Sequence, residues 1–259
     1  MKKIIAWLLL MLVCVNIISC GSTKGLQYSI SKDASYVVVS DIDRSVTPTS
    51  LVIPAEHNGL PVKAIGSKVG WARTTCADVT KISLPDGLLC IDTSFYATAF
   101  YEDESNWETE TIDGVTCKAL YIDGYLICVE PVMRSSSFEG SVPFTVKEGT
   151  KGIASRAFRG DWDYVVHIPN SVKFIGSALA SDGVSIETGG ELTLHGYKTF
   201  RVVFDGTVAE WESMNKDLAS AEADSVMRID DIAYDGSDIE SHYFLYIVNC
   251  KDGSLVYDS

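Results

Sequence analysis

Apolar positions recur along this chain in a short two-step pattern. Residues 50–54 (SLVIP), 81–85 (KISLP), 144–147 (FTVK) and 165–169 (VVHIP) align as four copies of one alternating strand. A second apolar residue follows in each. Ile91 comes seven after Leu84, Ile153 seven after Val146 and Ile175 seven after Ile168. In the first copy Ile65-Gly66 comes twelve after Ile53, and residues 56–60 read as an added turn. Downstream, Ser94-Phe95 and Ala157-Phe158 set a ring just after a small residue.

The pattern predicts stacked parallel strands. A strand alternates inward and outward positions, and a Pro at its end removes a ladder donor and stops it. Glycine after the second Ile permits a tight turn, and the following Phe turns into the interior. One such unit cannot bury its own apolar face, whereas stacked units share a continuous core. The copies are degenerate. The step from Leu84 to Val146 spans 62 residues, residues 70–77 lack the Ala-Phe step, and Gly176 is followed by Ala178-Leu179 without a ring.

The flanks read differently. Residues 117–128 hold a hairpin around Asp123-Gly124, with Ile122 facing Tyr125 and Cys128 expected opposite Ala119. Near the end, Thr207-Val-Ala-Glu210 is a capping box, starting a helix expected over 208–215 with Trp211 turned onto the last repeat. A strand over 243–249 and an Asp252-Gly253 turn complete a cap, which an open-ended stack requires. At the front, Lys2 and Lys3 precede an apolar run from Ile4 to Val15. At ~1.5 Å per residue that run is too short for a ~30 Å hydrocarbon core and fits a secretory signal.

The signal ends in Ile17-Ile18-Ser19-Cys20-Gly21, which resembles the lipobox of bacterial lipoproteins. The resemblance implies that residues 1–19 are removed and that Cys20 is lipidated, with 20–25 as a flexible tether. At roughly 0.8 kcal/mol per buried CH₂, two or more acyl chains anchor stably. The strings ISLPDGLLCIDTSF, TVKEGTKGIASRAF and VHIPNSVKFIGSAL are similar to BspA-type leucine-rich repeats. LQYSISKDASYVVVS, ALYIDGYLICVEP, VVFDGTVAEW and VNCKDGSLVY resemble the opening strands, inter-repeat hairpin and closing block of the same family. The last two copies are 22 residues apart, within that family's ~20–29 period.

The resemblance implies a single domain over 26–259. Its fold is a short, irregular β-rich leucine-rich-repeat solenoid with an N-terminal β-hairpin or meander and a small C-terminal helix-plus-hairpin cap. Repeats occupy about 50–100 and 144–180, an insertion about 101–143, and the cap about 200–259. The implied function is a non-catalytic binding or adhesion module of the bacterial envelope. It would be held at the outer membrane, periplasmic or surface-facing, by the lipid on Cys20 alone. A glycan-binding accessory lipoprotein is the alternative, a hydrolase a weaker one, and purely structural packing in the envelope a further one.

Charge narrows the partners. The 259 residues hold 21 Lys and Arg against 35 Asp and Glu, a net of −14. Nucleic acid is excluded as an expected partner, because that binding is driven by Lys and Arg displacing the counterions condensed on phosphates. After Cys14 and Cys20, the five remaining cysteines (Cys76, Cys90, Cys117, Cys128 and Cys250) are odd in number and have no C-x-x-C spacing. Buried thiols are expected, and no zinc site. His57, His167, His195 and His242 are scattered, with His167 on an outward strand position. No nucleophile elbow, phosphate loop or dinucleotide glycine pattern occurs, so no enzyme activity and no cofactor are expected. The acidic pairs at 41/43, 161/163 and 235/238 do not continue into a calcium loop and read as solvated.

Two acidic segments stand apart from the repeats. One, 205–240, holds eleven acids against Lys216 and Arg228. The other gathers Glu102, Asp103, Glu104, Glu108 and Glu110 around Trp107 inside the insertion. These six residues are the expected ligand-binding element. Charge would steer a basic partner, and an exposed Trp107 would anchor it. Tyr101, Trp107, Tyr121, Tyr125 and Trp162 on one face would instead favour stacking on sugars.

Overall fold

A computed structural model describes residues 21–31, 33–70, 75–132, 140–160, 162–176, 199–218 and 245–258. The first strands are β1 (Leu26–Ile30), β2 (Val37–Ile42), β3 (Ser50–Val52), β4 (Glu56–His57), β5 (Leu60–Ile65), β6 (Lys81–Ser83) and β7 (Cys90–Ile91). A one-turn helix α1 (Ala99–Glu102) leads to β8 (Trp107–Ile112), β9 (Val115–Ile122) and β10 (Tyr125–Pro131). Then come β11 (Ser141–Thr145), β12 (Gly152–Ile153), β13 (Asp163–Ile168) and β14 (Thr199–Phe204). Helix α2 (Val208–Leu218), β15 (Leu245–Cys250) and β16 (Gly253–Asp258) close the chain.

The aligned copies pair in parallel and in register. β3 lies on β6 with Leu51 opposite Ile82, and Ile53 N–H donates to Ser83 O at 2.9 Å. β11 lies on β13 with Phe144 opposite Val166, and Val146 N–H donates to His167 O at 2.9 Å. β14 and β15 extend that sheet in parallel, and β16 folds back antiparallel. The second apolar step forms its own column. Val39 pairs with Ile65, Ile65 with Ile91, and Ile153 with Ile175. Leu51, Ile53, Leu84, Phe144, Val146 and Ile168 are all buried. A slip of one residue would turn each of them to solvent, so burial fixes the register.

The insertion departs most from expectation. β8, β9 and β10 form an antiparallel sheet, and β10 also pairs in parallel with β12. Trp107, Leu120, Ile122, Tyr125 and Ile127 join the core of the first repeats, with Ile53, Leu84, Ile91 and Phe95. Cys117, Ala119, Leu126 and Val129 join the core of the later repeats, with Phe144, Ile153 and Phe158. β9 and β10 therefore form a partition with one face in each core. The physical reason is the 62-residue break, which would leave two apolar stack ends bare. β10 fills it, and its run Tyr125–Val129 is buried at every position, as expected for a strand covered on both sides.

The hairpin tip completes the join. Asp123 (φ 49°) and Gly124 (φ 84°) make the two-residue turn that matches strand twist. Asp123 Oδ2 accepts Leu84 N–H at 2.7 Å, the donor that a following repeat carbonyl would otherwise take. Tyr125 Oη accepts Leu88 N–H at 3.2 Å and donates to Pro85 O at 3.0 Å. Asp123→Ala orphans the Leu84 donor and should cost about 1–3 kcal/mol in urea unfolding. An unchanged midpoint would mean that the join does not depend on this carboxylate.

A bulge after Leu126 sets Cys128 opposite Leu120, and Val129 opposite Ala119. The final turn is Lys251-Asp252, one residue earlier than read, because Cys250 pairs with Gly253. In the capping box Thr207 N–H donates to Glu210 Oε2 at 2.7 Å, and Glu210 N–H to Thr207 Oγ1 at 3.2 Å. Helix α2 runs to Leu218, three residues past the expected end. Trp211 is buried edge-on against Phe204, with ring centroids 5.5 Å apart. Residues 23–25, expected as free tether, are held. Thr23 N–H donates to Val52 O (3.1 Å), and its hydroxyl donates to Ser50 O (3.0 Å) and accepts Val52 N–H (2.7 Å). Cys20, Ala178-Leu179, the 161 and 235/238 acids and most of 205–240 lie outside the described residues.

Candidate functional site

The six expected recognition residues do not form one exposed patch. Trp107 is 9% exposed. Its indole N–H donates to Tyr101 O at 2.8 Å, and its ring meets Tyr101 edge-on at 5.0 Å. Alternation along β8 turns Trp107 to the first core and Glu108 and Glu110 to the opposite face. An exposed anchor is therefore not what Trp107 provides.

The acids are largely absorbed by the protein itself. Asp103 Oδ1 caps Ser105 N–H at 2.9 Å, and the Ser105 hydrogen bonds hold its carboxyl below the ordinary value. Glu104 pairs with Lys118 at 3.1 Å. Glu108 pairs with Lys147. Partial desolvation raises the Glu110 carboxyl against the Thr145 N–H that it accepts. Glu102 closes α1 and is exposed. Exposed pairs of this kind contribute only ~0–1 kcal/mol, but they tie the turn before β8 to β9, and β8 to the segment just after β11.

A part-buried polar cluster lies where the partition meets the repeats. Tyr101 O–H donates to Glu130 Oε1 at 2.5 Å and lies 3.6 Å from Cys128 Sγ. Lys118 reaches Glu130 at 3.3 Å and covers the Trp107 ring at 4.6 Å. Arg159 Nη2 donates to Ser94 Oγ at 2.7 Å, joining the later repeats to the first. Burial raises the Tyr101 hydroxyl, with the Cys128 and Glu130 neighbours adding to it. Burial likewise pushes the Cys128 thiol up to about 11, against the pull of Arg159. A protonated, buried thiol is not a nucleophile at neutral pH. The cluster reads as a polar lock between layers. Sequence reading missed it, although Glu130 ending an apolar strand and Arg159 following Phe158 were the available signals.

The thiols give a pH dependence. All five described cysteines stand as thiols, four of them buried. Burial pushes Cys117, like Cys128, to about 11 from an ordinary value of 9.0. A folded-state pKa above the unfolded one contributes stability that is complete below the unfolded value and is lost as pH rises toward the folded one. The melting temperature should therefore fall between about pH 9 and 11, with Cys128 supplying on the order of 2 kcal/mol of that loss. Cys128→Ala should flatten the slope of melting temperature against pH. An equal slope would assign the alkaline loss elsewhere.

The remaining candidates are separate from one another. His57 stacks on Tyr28 with ring centroids 3.6 Å apart, while His167 is exposed on β13. Asp41 and Asp43 accept Ile42 and Ser45 N–H groups. Among the described residues no three His, Cys, Asp or Glu side chains converge on a metal position, and no helix is long and apolar enough to cross a membrane. His195 and His242 lie outside the described residues. Tyr125 is buried, and Tyr101, Tyr121 and Trp162 are half-buried.

Among the described residues, an extended exposed surface is the outward face of the sheet β11–β13–β14–β15–β16. Register sets Thr145, His167, Val203, Asn249 and Ser254 in one cross-strand row, with Pro143, Val165 and Arg201 in the next. Thr145, His167, Arg201, Asn249 and Ser254 are exposed, and Pro143, Val165 and Val203 half-buried. No Trp, Tyr or Phe stands among these side chains. Comparison with family models, curated proteins and solved structures finds no match for this chain.

Proposed function

We propose that this chain is a non-catalytic binding lipoprotein of the bacterial envelope, of the BspA-like leucine-rich-repeat kind, anchored only by lipid on Cys20. The observation that carries the reading is the parallel, in-register stacking of the repeat copies. It leaves the outward rows Thr145–His167–Val203–Asn249 and Pro143–Val165–Arg201 as a flat recognition face. Recognition by that face fits the mixed, near-neutral surface of a protein partner. Sugar stacking is the weaker reading, since the described row offers no large aromatic ring. The insertion serves as the partition that joins the two halves of the stack.

The anchor has a direct test. Cys20→Ala, expressed in a lipoprotein-processing bacterium, should lose metabolic acyl labelling, and persistent labelling would remove the anchor from the account. The binding reading predicts that soluble residues 21–259 retain partners on an array of extracellular-matrix proteins and glycans without chemical change to them. Cleavage of an arrayed glycan would replace the reading with a hydrolase.

A further inference from the structure

The front of the chain carries a second surface. Thr23 occupies, against β3 in the first column, the place that β2 occupies against β5 in the second. Its three hydrogen bonds to Ser50 and Val52 bind it along the outer edge of β3. Gly25 fixes the next turn, with φ 85°, its carbonyl accepting Asp43 N–H at 2.8 Å. A Cβ there would lie 2.9 Å from Val46. The chain thus becomes fixed to the first repeat only three residues after Cys20. At ~3.3–3.6 Å per residue, Cys20 cannot lie more than ~11 Å from that edge.

Charge is also unevenly divided along the sequence. Residues 21–50 hold three Lys and Arg and three Asp, a net of zero. Residues 51–259 hold 32 acids against 16 bases, a net of −16. An anionic lipid surface repels so acidic a chain over a Debye length of roughly 8 Å at physiological salt, and residues 21–50 add no net repulsion of their own. The same end displays Ile30, 62% exposed on the edge strand β1. An isolated apolar side chain of this kind can enter the headgroup boundary.

We infer that the first-repeat end, formed by Thr23, β1 and the turn at Asp43–Ser45, is a membrane-apposed surface that seats on lipid headgroups. The short docked tether then holds the stack with its repeats rising away from the bilayer. The inference rests on lipidation of Cys20. It adds a fixed orientation, in place of free tumbling on a tether. The outward sheet face then stands side-on to the membrane, open to a partner approaching along the envelope.

The test uses the full lipidated protein in vesicles of phosphatidylethanolamine and phosphatidylglycerol, with Cys250→Ser to remove the half-exposed native thiol. A fluorophore is placed at Ser29→Cys or Ser45→Cys at the near end, or at Ser254→Cys at the far end. Flotation with the vesicles reports the anchor separately. Among floating proteins, nitroxide headgroup lipids should quench the near-end probes roughly threefold or more over the far-end probe. A flexible insert of Gly and Ser between Cys20 and Thr23 should erase that difference. Equal quenching at both ends, in protein that floats, overturns the seated orientation while leaving the anchor intact. Failure to float overturns the anchor itself, and the orientation with it.

Discussion

Phe158→Ala should lower stability by about 3–5 kcal/mol, the usual cost of deleting a buried ring. Phe158 is fully buried, edge-on to Phe144 at 5.8 Å and to Tyr164 at 5.1 Å. It also forms the parallel bridge to Val129 of β10. Phe158 therefore joins three layers, β11 and β13 through its ring and the partition through its backbone. Domains have only ~5–15 kcal/mol in total, and each kcal/mol moves the midpoint of a chain this size by ~2–4 °C. A thermal melt should drop by on the order of 10 °C, with Phe158→Leu intermediate. A melt unchanged by the Ala variant would mean that the ring is not where the stack closes.

The second large effect separates two glycines that the repeat makes equivalent. Gly66 follows Ile65 and Gly176 follows Ile175, each just past the second apolar step. A Cβ on Gly176 would fall 2.2 Å from Ser155 N and 2.6 Å from Ser155 Cα, both backbone. Gly176 N–H also donates to Ile153 O at 2.7 Å. Backbone cannot yield as a flexible side chain does, so Gly176→Ala should cost about 2–4 kcal/mol and loosen the Ile153–Ile175 bridge. At Gly66 the nearest atoms would be 3.5 Å away. Gly66→Ala should be neutral, or stabilising by up to about 1 kcal/mol through the unfolded chain. Equal denaturant midpoints for the two variants would contradict the close stacking of the later repeats.

The ladder residues were legible because they are constrained twice. Ile53, Leu84, Val146 and Ile168 need both period-two burial and a partner one layer away, and only one alignment satisfies both. The capping box at Thr207 was equally legible, being local chemistry. The partition was not. Alternation in β9 looks the same whether one face is wet or both are covered, and only the unbroken apolar run of β10 hinted at burial on two sides. Trp107 was hidden by its acidic neighbours, which suggest exposure although alternation turns the indole inward. Thr23 was hidden for the opposite reason, since GSTKG has one composition whether free or bound along a strand edge.

The recognition face can be tested against the insertion in one experiment. Three forms of residues 21–259 are applied to an array of extracellular-matrix proteins and glycans. They are the native sequence, a face variant (Thr145→Glu, His167→Glu, Arg201→Glu) and an insertion variant. The insertion variant neutralises Glu102, Asp103, Glu104, Glu108 and Glu110 as their amides. Melts establish that all three are folded. The native and insertion forms should retain the same partner, and the face variant should lose it by tenfold or more, as expected for a central interface contact. Retention by the face variant together with loss in the insertion variant would contradict it, and so would a native form that binds nothing on the array.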